Sequence, residues 1–274
     1  MKSSNKLLIS DFDGTLLRSD GTISESVKNK IVEFKNAGGI FAIATGRLPE
    51  GIVKKAKSLG LCGPVATCHG SVILDIETKK VLFEKPMINE QAIKVCQAME
   101  TLNLHIHVYD LNHFYSNMRD EALDWYEQAV GTKAIVIDDM PMSVYLKKTQ
   151  MPCYKVLAMV KAEDLQTVYN YMVDQKIENC TVSSGGSNLV EIFSDSCSKG
   201  TALEFLADYY HIPLKNTIAV GDNLNDIDMI EKAGLGIAVA NANPSLKEKA
   251  FACLYSNNQD AIAHIIDEFG YTKD

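Results

Sequence analysis

The sequence predicts an α/β fold, a Rossmann-like parallel-sheet core with an α+β domain inserted into it. Three observations predict it. Short apolar runs alternate with stretches of helical period through roughly the first 80 residues. The same alternation returns after Lys199. The segment between changes to helices interspersed with strands of alternating polarity. A length of 274 residues suits about two domains. The change of pattern assigns residues 1–82 and 194–274 to the core and 83–193 to the insert.

KLLIS reads as the first strand. After the loop DFDGTLLRSDGT, Ser24 N-caps a helix with Val27, Ile31 and Phe34 on one face, ending at Gly38–Gly39. GIFAIAT is the next buried strand. Pro49 then opens a helix with Ile52, Val53, Ala56 and Leu59 turned inward, stopped by Gly60. PVATCHG follows as a third strand. Strand–helix–strand units of this length imply parallel pairing with right-handed crossovers.

In the insert, the helices EQAIKVCQAMETL, RDEALDWYEQAV and AEDLQTVYNYMVDQ accompany strands such as HIHVYD and CYKVLAMV, and GGSN makes a hairpin-like turn before LVEIFS. Trp125, Tyr126, Phe114 and Tyr115 are expected in the core of this domain, with a sugar-stacking platform as the other reading. Met140 and Met142, flanking Pro141, read as loop and strand packing. His105 and His107 share a strand face but lack a third ligand at metal-site spacing, so surface or packing is expected rather than zinc. The C-terminal part reads as a helix from Lys199 to Tyr210, strand NTIAVGD, helix NDIDMIEKAG, strand LGIAVA and a closing amphipathic helix, DAIAHIIDEFG.

Composition narrows the function. A hydrophobic fraction of 46% and a charged fraction of 23% suit a folded globular chain. The formal net charge is −8, and the 27 Lys and Arg form no long basic run, which argues against nucleic acid or an anionic membrane surface as the ligand. Small anions stay open, since they need only a local positive pocket. The N-terminal stretch MKSSNKLLISDFDG shows no signal-peptide pattern, and no apolar run is long enough to span a membrane. Seven cysteines, without a C-x-x-C pair, fit free thiols in a reducing compartment. A cytoplasmic protein is expected.

Ligands of open parallel sheets gather at the carboxyl ends of the strands. Four predicted strand ends or adjacent turns carry polar groups of one theme: Asp11-Phe12-Asp13-Gly14-Thr15, Thr45-Gly46-Arg47, Lys199-Gly200 at the opening of a helix, and Gly221-Asp222-Asn223-Leu224-Asn225-Asp226. Acids so clustered need a cation, and oxygen ligands without His or Cys select a hard ion such as Mg²⁺. Asp11 and Asp222 are the expected side-chain ligands, with Asp226 ligating or orienting a water. Lys199 and Thr45 add donors for an anion, and Gly14 and Gly46 let backbone N–H groups approach it. Metal, lysine and carboxylate together describe phosphoryl transfer. Asp11 is expected to attack phosphorus; Asp13 is expected to protonate the leaving oxygen and later deprotonate water, with its main-chain carbonyl ligating the metal.

DFDGT, ATGR, SKG and GDNLND, in this order, resemble the haloacid dehalogenase-like phosphohydrolases, most closely the Cof-type branch. GIAVANANPSLKEKA is similar to that branch's segment after the fourth motif, with Asn241-Ala242 in place. The resemblance runs from Lys6 to Phe269, strong in the motifs and weak in the insert. It implies a Mg²⁺-dependent phosphatase of small phosphorylated metabolites, often sugar phosphates, with the insert acting as a cap that selects the substrate. It makes Asp11 the nucleophile and Asp13 the acid/base. Thr45, Lys199 and Asn225 become phosphate contacts, and Asp222 and Asp226 fall on the metal side. One departure is His69, where the branch usually shows Asn. Arg47 stays open between a cap or substrate contact and a surface ion pair. Asn225 and Asp226 could also cap the helix that follows. A phosphomutase uses the same acids, and a non-catalytic metabolite sensor is the reading from another class. Oligomeric state is not readable from these residues.

Overall fold

A computed structural model describes residues 4–185, 188–252 and 255–272. The chain divides into two compact units. The first takes the chain up to Gly46, Val53–Phe83 and the chain from Ser198 onward; the second takes Arg47–Ile52 and Glu84–Cys197.

The N-terminal stretch folds as β1 (Leu7–Asp11), α1 (Glu25–Asn36), β2 (Ile40–Ala44), α2 (Pro49–Ser58), β3 (Pro64–Thr67), β4 (Val72–Asp75) and β5 (Val81–Glu84). Every residue of β1 is buried, which accounts for its unbroken apolar run. Ser24 caps α1 by accepting from the Val27 N–H at 3.1 Å, and Val27, Ile31 and Phe34 are buried. Two details differ from the sequence reading. α2 stops at Ser58, so Leu59 leaves the helical face and is only half-buried. β3 stops at Thr67, because Cys68 and His69 take φ of 47° and 56° and enter a 3₁₀ turn, Cys68–Gly70. Left-handed backbone cannot continue a strand.

The insert contains α3 (Asn89–Thr101), β6 (His105–Tyr109), β7 (Phe114–Ser116), α4 (Glu121–Val130), β8 (Ile135–Val136), α5 (Met142–Thr149), β9 (Lys155–Met159), α6 (Leu165–Asp174), β10 (Cys180–Gly185) and β11 (Leu189–Ser194). The chain then returns through α7 (Lys199–Tyr209), β12 (Thr217–Gly221), α8 (Ile227–Lys232), β13 (Leu235–Ala238), α9 (Pro244–Lys247), β14 (Phe251–Ala252) and α10 (Ala261–Phe269). The short α9 and β14 are absent from the sequence reading. Among the described residues no helix is long and apolar enough to cross a membrane.

The first unit is an α/β core built on a sheet of order β14-β13-β12-β1-β2-β3-β4-β5. Pairing is parallel from β14 to β3 and antiparallel between β3 and β4. β1 is flanked by β2 on one side and β12 on the other, with Ser10 level with Val220. Strand order therefore reverses at β1, and the crevice at its carboxyl end lies between Asp11 and the residues following Gly221.

The second unit has a sheet of order β10-β11-β9-β6-β7-β8, antiparallel except for β7 with β8. The predicted GGSN turn includes residues 186–187, outside the described residues, but Gly185 and Leu189 on either side are paired. Ile106, Val108, Val156, Ala158, Val190 and Ile192 join α3, α5 and α6 in one apolar core. Strand alternation sends His105, His107 and Tyr109 to the opposite face, where they are buried too. There His107 Nε2 lies 3.1 Å from His105 Nε2, which contacts Ser116 Oγ at 2.8 Å, and the Tyr109 hydroxyl meets that of Tyr126 at 2.8 Å. The histidines are thus packing groups in a polar network. Phe114, Tyr115 and Tyr126 are buried as expected, whereas Trp125 is 55% exposed, because its position on α4 turns away from the sheet. Met142 opens a helix rather than packing in a strand, since Pro141 sets the extended backbone at its N-cap.

Burial pushes His107 well below the ordinary histidine range, and His105 and Lys155 add to the effect against Glu127. Burial also lowers His105, with Asp120 opposing. A depressed histidine contributes stability above the unfolded value of about 6.5 and loses it as pH falls. Hydrogen exchange, corrected for its intrinsic pH dependence, is therefore expected to show β6 and α4 losing protection between pH 7.5 and 5.5, an effect that His107→Phe reduces.

Candidate active site

The carboxyl end of β1 delivers Asp11, and the turn after β12 delivers Asp222 and Asp226. One oxygen from each of these three side chains lies within 4.8 Å of the others. Lys199 supplies the opposing charge: its Nζ is 2.5 Å from Asp11 Oδ1 and 2.5 Å from Asp226 Oδ1. All of Asp11, Asp226 and Lys199 are buried, while Asp222 is half-buried.

The local sequence explains why Lys199 can stand there. A lysine in the first turn of a helix meets the positive end of the helix dipole. Here Ser198 secures the start of α7 through a capping box, accepting from the Thr201 N–H at 3.0 Å and donating its own N–H to Thr201 Oγ1 at 2.9 Å. The two carboxylates then offset the dipole. Burial works against the charge on Lys199, but Asp11 and Asp226 outweigh it and hold the ammonium above the usual lysine range. Burial raises Asp11 well above the ordinary carboxylate range. Lys199 opposes that shift, and the charges of Asp226 and Asp222 add to it. Asp222 is raised by burial and by Asp226, against Lys199 and the hydroxyl of Thr15.

Each acid has distinct partners. Asp226 Oδ2 accepts the N–H groups of Asp222 and Asn223 at 2.9 and 3.0 Å, so with Lys199 both its oxygens are engaged. Thr15 Oγ1 donates to Asp222 Oδ1 at 3.1 Å. Among the described residues, no donor reaches the buried Asp11 Oδ2. A buried carboxylate oxygen without a donor is costly. Beside Asp222, in an all-oxygen donor set, it fits a hard divalent cation.

The remaining expected residues surround this cluster unevenly. Asp13 is exposed, and its carboxylate is not among the three that converge. Gly14 has φ of +84°, and a Cβ there would stand 2.5 Å from Asp222 Oδ2, so a side chain is excluded twice over. Thr45 is buried at the end of β2, with its N–H donating to the Ala66 carbonyl at 2.9 Å. Gly46 makes room for His69, whose ring would be 2.7 Å from an added Cβ. His69 itself is buried, and its N–H donates to the Thr45 carbonyl. Asn225 is half-buried in the 3₁₀ turn Leu224–Asp226. Neither Asn225 nor Asp226 caps α8 with its side chain. Asn223 caps the 3₁₀ turn that leads into α8, and Asp226 completes that capping box by accepting the Asn223 N–H on Oδ2 while its Oδ1 meets Lys199. Arg47 is half-buried and groups with the second unit.

Two contributors carry no role in the sequence reading. Thr15 orients Asp222, as above. Asn241 Nδ2 donates to the Gly14 carbonyl at 2.8 Å, and its Oδ1 accepts the Asn257 N–H at 3.0 Å, tying the loop after β1 to the C-terminal segment. The only signal for Asn241 is its place in the segment that follows the fourth motif.

Comparison with known proteins gives an independent line. Residues 8–266 match the family described as haloacid dehalogenase-like hydrolase. A Haemophilus influenzae relative is 30% identical, the alignment covering 96% of this chain and 97% of that one. The pyridoxal phosphate phosphatase YbhA of Escherichia coli is 29% identical, over 95% of this chain and 97% of its own. The solved structure of a haloacid dehalogenase-like hydrolase from Bacillus subtilis is similar with a TM-score of 0.85 at 26% identity, covering 96% of this chain and 99% of that one.

Removing Lys199 leaves Asp11 and Asp226 as uncompensated buried charges. In chelator at pH 7, Lys199→Met is expected to cost about 3–5 kcal/mol of stability by chemical denaturation. The sign with pH follows from the raised carboxylates. Their contribution is complete below the unfolded value of about 3.9 and is lost as pH rises. The deficit of the variant therefore shrinks on acidification from pH 7 toward pH 5.

Proposed function

Because the chain belongs to the haloacid dehalogenase-like hydrolases and is a phosphatase of small phosphorylated substrates, we propose that it works through an aspartyl-phosphate on Asp11 with Mg²⁺ as its ion. The observation that carries the reading is the convergence of Asp11, Asp222 and Asp226 around the buried ammonium of Lys199. Asp11 and Asp222 would hold the ion, with the main-chain carbonyl of Asp13. The engaged oxygens of Asp226 suit it to orienting a water beside that site rather than to direct ligation. When bound, the ion supplies positive charge against the phosphoryl oxygens.

The residues then divide the work. The Asp11 carboxylate attacks phosphorus, and the substrate's ester oxygen leaves with a proton from Asp13. Asp13 next takes a proton from water, which attacks phosphorus and frees inorganic phosphate, restoring Asp11. Exposure of Asp13 supports this role, since its side chain lies outside the converging acids and is open to solvent, where a leaving group enters and departs. Lys199 holds the Asp11 carboxylate and meets the charge of the transferred group. Thr45, Asn225 and the backbone N–H groups at Gly14 and Gly46 cradle the phosphate. The second unit selects the substrate, with sugar phosphates first among the candidates and pyridoxal phosphate, the substrate named for the Escherichia coli relative, beside them.

A phosphate-release screen over sugar, nucleotide and cofactor monoesters tests the reading. Mg²⁺-dependent release is expected, and Asp11→Asn is expected to abolish it. Isomerised hexose phosphate without free phosphate would make the enzyme a mutase, and full turnover in excess chelator would overturn the metal assignment. Asp13→Asn is expected to lower kcat by about 10²–10⁴-fold while the protein still gains thermal stability on adding Mg²⁺, a gain that Asp222→Asn diminishes.

A further inference from the structure

We propose that Lys35 and Cys62 are an oxidation-sensitive pair that a single oxygen atom joins covalently, Lys35 Nζ to Cys62 Sγ. Lys35 lies in the last turn of α1, and Cys62 precedes β3. The Lys35 ammonium nitrogen stands 2.5 Å from Cys62 Sγ and 3.4 Å from the Cys62 carbonyl oxygen. The shorter distance is the informative one. Hydrogen bonds from N–H to oxygen span about 2.7–3.2 Å, and sulfur, being larger, requires more. The pair is therefore too close for hydrogen bonding alone. It is also too far apart for a direct bond, because even two sulfur atoms bond at about 2.05 Å and nitrogen is smaller. One light atom between them spans the gap, and oxygen is the atom that cysteine oxidation supplies.

Access favours this cysteine. Cys62 and Cys180 are half-buried, whereas Cys68, Cys96, Cys153 and Cys197 are buried. Burial pushes the Cys180 thiol up to about 11, which disfavours its oxidation, while Cys62 has Lys35 against its sulfur. The position also separates the pair from catalysis. Cys62 stands just before the first residue of β3, and α1 leads into the first residue of β2, so both lie toward the amino ends of strands whose carboxyl ends face the acid cluster. The link would fasten the end of α1 to the loop entering β3.

The chemistry balances with dioxygen as oxidant. The thiol gives up its hydrogen and the amine one N–H hydrogen, and four electrons leave the pair as the S–O and O–N bonds form. One atom of dioxygen becomes the bridge and the other leaves as water; a proton is released as well when Lys35 starts as the ammonium. Two molecules of hydrogen peroxide serve equally, leaving as three molecules of water. A thiol reductant such as dithiothreitol cleaves both bonds, returning thiol, amine and water while it is itself oxidised to disulfide.

Peptide mapping without reductant tests the link. The full-length protein is treated with hydrogen peroxide, alkylated, digested and analysed by mass spectrometry. The segments containing Lys35 and Cys62 are expected to appear joined, heavier than their sum by one oxygen less two hydrogens, and to separate in dithiothreitol. Cys62→Ser and Lys35→Arg, each confirmed as folded by thermal melting, are expected to lose the joined pair. Joined segments without the added oxygen would overturn the proposal, as would sulfinic acid at Cys62 on unjoined peptides, or a thiol unchanged by peroxide. The wild-type map decides the matter even if a variant fails to fold.

Discussion

The structure of the first unit turns on one buried ammonium. Lys199 meets two carboxylates at the meeting point of three sequence-distant segments, and each segment is arranged to make that meeting possible. β1 ends at Asp11, β12 runs parallel beside it, and α7 begins at the lysine. With Asp222 half-buried nearby, acids still outnumber bases. Burying such an excess is unfavourable unless another positive charge arrives. The same imbalance that weakens the pocket suits its acids to a divalent cation.

Much of the first unit was legible because its signals are local. Val27, Ile31 and Phe34 repeat at helical spacing, Ser24 stands where an N-cap belongs, and β1 reads as an unbroken apolar run. The acid cluster was legible for a different reason: its members sit in short motifs at strand ends, where topology brings them together. The contacts that finish the site were not. Asn241 reaches Gly14 across most of the chain, and no period or motif encodes such a pairing. Leu59 and Trp125 show the limit of periodicity, since an apolar residue at the right spacing still faces outward when its helix ends or turns away from the sheet. His69 adopts a left-handed backbone in a turn that the run PVATCHG disguises as strand.

The second unit uses its sheet differently. One face builds an apolar core with three helices, and the other buries histidine, tyrosine, lysine and glutamate side chains, including a Lys155–Glu191 pair at 2.6 Å. Buried polar groups of this kind fix a single arrangement at some cost in stability, because each must find a partner. Alternation along β6 sets the division, with Ile106 and Val108 on one side and His105, His107 and Tyr109 on the other.

Central placement of β1 has a consequence for biosynthesis. Leu7 pairs with Ile40, which follows soon after on the ribosome, but also with Thr217, which emerges only after the whole insert has been made. The nascent core thus waits with one flank of its first strand open, while the intervening unit, whose pairings are all internal, is free to fold during the delay. The acid cluster is completed last, when the returning strand closes that flank and the lysine reaches its acids.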